Sequence, residues 1–158
     1  ATDKPIVVYN IPSRCVIDLP NDFLRSLAEI ENVRAVKQAR ETEIAAIDGL
    51  DLLAGNDDRL AEVLDAGGTG GILVASHIVG KEMRRMIDEP ENRWAIHEGL
   101  TDVFGTLAMT QLAMTVKSAL RMVGQDVGGV RLPLVDCDEK ELGALDEMLR
   151  RRGLLSPV

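Results

Sequence analysis

Four short apolar runs alternate with segments in which apolar residues recur at helical spacing. The runs cover residues 5–9, 33–37, 51–55 and 72–76. They lack the strict alternation with polar residues that marks a strand with one face in water. Continuous apolar strands, each followed by a helix, are typical of a parallel sheet that is covered on both faces. The pattern therefore predicts an α/β fold with four parallel strands.

The helical spacing is clearest after residue 56, where Leu60, Val63 and Leu64 form one apolar stripe. The glycine cluster at residues 67–71 follows this helix and is predicted to stop it, because it matches no phosphate-binding motif and precedes a strand. The other predicted helices cover residues 21–31, 41–47, 81–88, 91–107, a stretch up to 123, and 139–152.

The number of strands limits the choice of architecture. A (βα)8 barrel needs eight strands and about 250 residues, whereas this chain has four strands in 158 residues. Two alternatives remain from the pattern alone: half of such a barrel, or an open four-stranded sheet. The helices after the fourth strand take up nearly half of the chain, which is more than a minimal open sheet requires.

Composition excludes several classes of protein. The net charge of -8 argues against sequence-independent binding of nucleic acid, which needs a basic surface. No apolar run is long enough to span a bilayer, and residues 1–5 lack the apolar core of a secretory signal, so we expect a cytoplasmic protein. Cys15 and Cys137 fit a reducing compartment, and neither groups with His77 or His97 at metal-ligand spacing, so no metal site is expected.

Candidate chemistry lies at the predicted strand ends, where parallel α/β proteins collect reactive groups. Lys37 ends an apolar run, and a desolvated amine at such a position can form a Schiff base with a carbonyl compound. Tyr9 ends the preceding strand and could relay protons to it. Gly55 allows close approach of backbone to a ligand, and Arg14 offers a forked donor to a carboxylate. A lysine that only reaches towards solvent and a tyrosine that only packs are the structural alternatives.

Five segments, in this order and spacing, resemble one enzyme family. They are residues 8–14 (VYNIPSR), 35–39 (AVKQA), 54–58 (AGNDD), 70–72 (GGI) and 130–134 (VRLPL). Together they resemble the dihydrodipicolinate synthase (4-hydroxy-tetrahydrodipicolinate synthase) family of pyruvate-dependent class I aldolases, over nearly the whole chain.

The resemblance implies a TIM (βα)8 barrel of which this chain holds strands five to eight and the C-terminal helical extension. The half-barrel would cover residues 1–80, with its last helix continuing to about 89, and the extension residues 90–158. By the same likeness Lys37 is the Schiff-base lysine and Tyr9 the proton-relay tyrosine. Arg14 would receive the carboxylate of the aldehyde substrate, and Gly55 and Ile72 would line the pyruvate pocket.

The family reaction condenses pyruvate with L-aspartate 4-semialdehyde in lysine biosynthesis, through an imine on the lysine and without a metal or an organic cofactor. The resemblance also implies a homo-oligomer, commonly a homotetramer. A Gly-Thr-Thr-Gly-Glu segment and a second tyrosine belong to the family's first half-barrel, and this chain has neither. Residues 110–117 (TQLAMTVK) stand where the family has Asn-Pro-x-Pro-Val-Lys.

Two other functions stay open. An inactive half-barrel fragment would expose sheet edges and an apolar face, and would pair with itself or with a first half-barrel. A related 2-keto-3-deoxy acid aldolase or N-acetylneuraminate lyase-like enzyme would share Tyr9 and Lys37 but act on a longer aldehyde.

Overall fold

The computed structural model of the chain describes residues 2–155. Its strands are β1 (Ile6–Asn10), β2 (Val33–Gln38), β3 (Asp51–Ala54) and β4 (Gly70–Gly71). Its α-helices are α1 (Pro12–Cys15), α2 (Asn21–Leu27), α3 (Leu60–Asp65), α4 (Ser76–Asp88), α5 (Arg93–Leu107), α6 (Leu112–Met122) and α7 (Glu139–Arg151). Single 3-10 turns, Asp57–Arg59 and Pro90–Asn92, precede α3 and α5.

The strands form one sheet in the order β1-β2-β3-β4, and every neighbouring pair is parallel. The predicted α/β fold with a parallel sheet is therefore confirmed. All four strands consequently end at the same edge of the sheet, which we call the carboxyl edge.

The chain divides into two compact units. The first contains the residues up to Leu73 together with Ile87–Arg93, and the second contains Val74–Met86 and the residues from Trp94 onward. The division into a half-barrel at residues 1–80 and an extension at 90–158 stays a prediction.

Each unit has its own apolar core. Fully buried side chains of the first unit come from α2, the sheet and α3: Leu24, Val36, Leu52, Leu60 and Val63. Those of the second unit come from α4, α5 and α7: Met86, Leu100, Leu107, Leu145, Met148 and Leu149. None of the helices within residues 2–155 is both long enough and apolar enough to cross a bilayer.

The predicted fourth strand, residues 72–76, is wrong. Only Gly70 and Gly71 pair with β3, and the chain leaves the sheet after the Ile72 amide donates to Ala54 O at 3.0 Å. The reason lies in β3, which ends at Ala54 and is followed by the 3-10 turn Asp57–Arg59. Residues beyond Ile72 therefore have no β3 backbone to pair with, and α4 begins at Ser76, before the predicted start at 81.

The predicted helix over residues 41–47 is also wrong. Glu43 has a φ of 54°, in the left-handed region that interrupts a right-handed helix. Ile47 and Leu50 are both buried and form an isolated antiparallel bridge across the following turn. The apolar residues of this segment thus serve a turn that packs into the core.

Candidate active site

Tyr9 and Lys37 occupy opposite positions on neighbouring strands. The register of β1 and β2 pairs Tyr9 with Lys37, one residue before each strand ends. Because side chains alternate along a strand, partners in register point to the same face. The Lys37 Nζ lies 4.0 Å from the centroid of the Tyr9 ring, which is cation–π distance. Lys37 is half-buried, and Tyr9 is 45% exposed, so both groups are accessible to a small molecule.

This pair can support imine chemistry. A primary amine that is partly withdrawn from water can attack a keto group, and each later step moves a proton. The phenol of Tyr9, whose ring contacts the amine, is a group of the kind that donates and accepts such protons. The sequence-based prediction that the two strand ends bring an amine and a phenol together is confirmed by the structure.

Arg14 lies in the turn that follows β1. Pro12 starts the short helix α1, where its fixed φ suits the first helical position, and the helix ends when Val16 adopts a φ of 62°. A β-branched residue in this left-handed conformation is uncommon, so the turn is held in a strained shape. The exposed Arg14 side chain is therefore presented from a single tight turn beside the carboxyl edge.

Gly55 follows β3 and lies against β2. A Cβ atom on Gly55 would approach Ala39 Cβ and Gln38 O to 2.8 Å each. Only glycine fits so close to neighbouring backbone, so the packing of two strands explains this residue without a ligand. Ile72 follows β4 and is 49% exposed. Both residues lie at the same edge of the sheet as Tyr9 and Lys37, and their predicted role in lining a pyruvate pocket stays a prediction.

Four polar residues that were not predicted from the sequence also lie at this edge: Asn10, Asp18, Gln38 and Arg40, which we call the strand-end polar cluster. Asn10 Nδ2 donates to Gln38 Oε1 at 2.9 Å, to Asp18 Oδ1 at 3.0 Å and to Leu19 O at 3.3 Å. Asn10 and Gln38 are 1% and 2% exposed. The available signal was one amide residue directly after each of the two candidate catalytic positions.

An ion pair closes the cluster on its outer side. Arg40 Nη2 donates to Asp18 Oδ2 at 2.5 Å. Arg40 Nη1 lies 3.1 Å from Glu43 Oε2 without the angle of a hydrogen bond, and its Nε is buried without a hydrogen-bond partner. The hydrogen bond from Asn10, together with the hydrogen bond and charge of Arg40, lowers the pKa of the Asp18 carboxyl against the opposing effect of burial.

A cavity of about 360 Å³ lies beside the cluster, at the carboxyl edge. Its lining residues are Pro12, Ser13, Asp18, Ala39, Arg40, Glu41 and Thr42. Within residues 2–155, no three histidine, cysteine or acidic side chains are grouped so that they could hold a metal ion.

The parallel sheet and the amine–phenol pair at its carboxyl edge define an α/β protein with a lysine-centred candidate site. The sequence pattern of the dihydrodipicolinate synthetase family matches residues 1–152, and the chain belongs to this family.

Named relatives agree with this membership. The 4-hydroxy-tetrahydrodipicolinate synthase of Symbiobacterium thermophilum is 37% identical over 98% of this chain and 57% of its own length. The crystal structure of the Cyanidioschyzon merolae dihydrodipicolinate synthase with lysine bound is similar, with a TM-score of 0.90 and 33% identity over 96% of this chain and 55% of that one.

A third relative is the chloride-inhibited dihydrodipicolinate synthase of Acinetobacter baumannii complexed with pyruvate. It has a TM-score of 0.90 and 27% identity, over 98% of this chain and 57% of that one. The chain thus spans a little more than half the length of the relatives it matches.

Proposed function

We propose that this chain supplies strands five to eight and the C-terminal helical extension of a (βα)8 barrel that condenses pyruvate with L-aspartate 4-semialdehyde in lysine biosynthesis. The observation that carries the proposal is the contact of Lys37 Nζ with the Tyr9 ring, 4.0 Å from its centroid, at the carboxyl edge of a parallel sheet. Family membership and the named relatives support the choice of reaction, since one of them was crystallised with pyruvate.

In this mechanism the neutral Lys37 amine attacks the keto carbon of pyruvate. Tyr9 passes protons during loss of water, and an imine forms between Lys37 Nζ and that carbon. Loss of a proton from the methyl carbon gives an enamine, whose carbon attacks the aldehyde carbon of the second substrate. A proton neutralises the new alkoxide, and water then releases the product and restores the amine.

Further residues bind rather than react in this proposal. The Arg14 guanidinium receives the carboxylate of the aldehyde substrate through a forked hydrogen bond. Gly55 and Ile72 line the space for pyruvate. The chemistry is carried by the imine on Lys37, so no metal or organic cofactor takes part in it.

The exposure of one sheet face supports the half-barrel. Val7 and Tyr9 share a face of β1 and are 44% and 45% exposed. Within the part of the chain that the structure describes, β1 pairs with β2 alone, so its other edge is open. A first half-barrel would cover both and supply the Gly-Thr-Thr-Gly-Glu segment, either as part of a longer chain or as a separate one. The assembly would be a cytoplasmic homo-oligomer.

Trapping with borohydride tests the amine. The chain is incubated with pyruvate and sodium borohydride, alone and together with a first half-barrel from a relative, and analysed by intact mass and peptide mapping. We expect a reduced pyruvate adduct on Lys37 that is absent from Lys37→Ala. It should persist in Lys140→Ala, which removes an exposed lysine of α7. Absence of the adduct from Lys37 in both samples would refute the catalytic assignment.

The same open edge favours a second function, a non-catalytic half-barrel that serves as an assembly partner. Sedimentation velocity with and without the first half-barrel, read together with the trapping result, distinguishes the catalytic function from the partner function. Assembly without trapping favours the partner role, whereas a compact monomer that does not bind the half-barrel contradicts it.

A related keto-acid aldolase would trap pyruvate equally, so the aldehyde acceptor is identified by comparing L-aspartate 4-semialdehyde with longer sugar aldehydes in the assembled sample.

A further inference from the structure

Asn10 and Gln38 stand next to the two candidate catalytic residues in both sequence and register. The β1–β2 register pairs Tyr9 with Lys37 and, one step on, Asn10 with Gln38. Since successive side chains in a strand point to opposite faces, the two amides lie behind the face that carries the amine and the phenol. A buried bond between the amides therefore ties the same two strand ends that hold Tyr9 and Lys37.

The amide pair has little freedom to move. Asn10 Nδ2 reaches Gln38 Oε1 at 2.9 Å, and both side chains are almost fully buried. The Leu19 amide donates to Asn10 Oδ1 at 3.2 Å, so Asn10 is bonded through both ends of its side-chain amide. A buried polar group that loses its partner is costly, and the network therefore specifies one arrangement of the strand ends.

The network also reaches the turn that carries Arg14. Asp18 lies a few residues after α1, accepts from Asn10 at 3.0 Å, and is paired with Arg40 in the segment that follows β2. The strand-end polar cluster thus connects β1, β2 and the connections that follow each of them. Three of the predicted site residues, Tyr9, Arg14 and Lys37, lie on these elements.

We propose that Asn10 and Gln38 are positioning residues, whose buried amide–amide hydrogen bond fixes the separation of the Tyr9 ring and the Lys37 amine. The proposal rests on the proposed function for its catalytic consequence, but its geometric part stands alone. Misplacement of a reacting group by about 1 Å can cost on the order of 100-fold in rate. Loss of the bond should therefore slow imine formation by at least about 10-fold without removing either reacting group.

The first test measures geometry without any substrate. Lys37 Nζ lies over the Tyr9 ring, 4.0 Å from its centroid, so the proton resonances of the methylene bonded to it should be shifted upfield by the ring current. Gln38→Met keeps the side-chain volume and removes the oxygen acceptor, and we expect the ring-current shift to be reduced. Gln38→Glu keeps an acceptor at this position and should restore it. An unchanged shift in folded Gln38→Met would overturn the proposal.

Two further variants keep the test decisive. Asn10→Ser, whose hydroxyl is one bond too short to span to Gln38, replaces Gln38→Met if that variant does not fold. Thr115→Val is the matched control, because Thr115 Oγ1 makes a buried hydrogen bond to Leu107 O at 2.7 Å in the second unit. It should lose stability without altering the ring-current shift; a similar change in this control would also overturn the proposal.

The second test is the rate of borohydride trapping across a pH series. Gln38→Met should be slower by at least about 10-fold and recover in Gln38→Glu, whereas Thr115→Val should match the wild type. If the wild type traps no pyruvate, the proposed function fails and the ring-current shift alone decides the positioning role. If the wild type traps pyruvate and Gln38→Met does so at the same rate, the positioning role fails and the proposed function survives.

Discussion

The β1–β2 side of the sheet, here called its first end, and the β3–β4 side, its second end, are built in different ways. β1 and β2 pair over five positions and end in side chains that contact one another. β3 and β4 pair over two positions, with Gly55 directly after β3 and Gly71 at the end of β4. Long pairing at the first end holds an amine and a phenol in register. At the second end the strands come together through close backbone packing. The candidate chemistry therefore lies where side chains, rather than backbone atoms, fill the carboxyl edge.

Two glycines make the contrast specific. A Cβ on Gly55 would meet the backbone of β2 and the chain after it, at Gln38 O and Ala39 N, neither of which can move without shifting the strand. A Cβ on Gly71 would come within 2.6 Å of Leu73 Cδ1, the far end of a flexible side chain. The contact of β2 with Gly55, the residue after β3, therefore requires glycine more strictly than the position of Gly71 does.

The largest effect is expected from Gly55→Ala. Gly55 is outside the left-handed region, so the cost comes from space alone, and displacement of β2 backbone should lower the free energy of unfolding by about 2–3 kcal/mol. Gly71→Ala should cost about 1 kcal/mol, because Leu73 can change rotamer. Urea unfolding followed by circular dichroism measures both. Equal losses would show that the two ends tolerate crowding alike and would remove the contrast.

A smaller difference is expected from truncating one apolar residue at each end. Val36 of β2 is fully buried, and Val36→Ala should cost about 2 kcal/mol through lost burial and the cavity left behind. Ile72, just beyond β4, is half-exposed, and Ile72→Ala should cost less than about 1 kcal/mol. The two variants are compared by their urea midpoints. A larger loss for Ile72→Ala would mean that its side chain is buried by an assembly in solution.

Local pattern was sufficient to predict the first three strands and the relation of Tyr9 to Lys37. The runs that became β1, β2 and β3 are apolar and flanked by turn residues, and the meeting of parallel strand ends follows from topology alone. The run at residues 72–76 is equally apolar, but a strand also requires a partner, and β3 ends at Ala54. No local property of residues 72–76 indicates where the neighbouring strand ends.

The strand-end polar cluster could not be predicted for a related reason. Asn10 and Gln38 are 28 positions apart, and their hydrogen bond depends on the β1–β2 register, which sequence periodicity does not fix to one residue. The left-handed conformation of Glu43 could not be predicted from local sequence either, because the neighbouring residues favour a helix that this conformation interrupts. Long-range pairing, and the backbone conformations that such pairing imposes, are therefore the main features that local sequence does not determine.

The smallest predicted effect is a dependence of stability on pH. It concerns the first end of the sheet, where the strand-end polar cluster contains the titratable carboxyl of Asp18. The pKa of Asp18 is lowered first by the hydrogen bond from Asn10 and then by Arg40, so the unfolded chain binds a proton at Asp18 more readily than the folded chain does. The stability that Asp18 contributes is therefore fully present above its unfolded pKa of about 3.9. It is lost as the pH falls through the lower, folded value.

The free energy of unfolding is measured by urea titration at pH 5 and pH 3 for the wild type and Asp18→Asn. Other carboxyl groups titrate in both proteins, so the additional loss of stability in the wild type isolates Asp18. This additional loss should be less than about 1 kcal/mol, because the carboxyl is 39% exposed and solvent screens its pairing with Arg40. Equal falls would mean that the Asp18 contacts contribute no net stability. The first end of the sheet would then depend on the buried amide pair, Asn10 and Gln38, without help from the ion pair outside it.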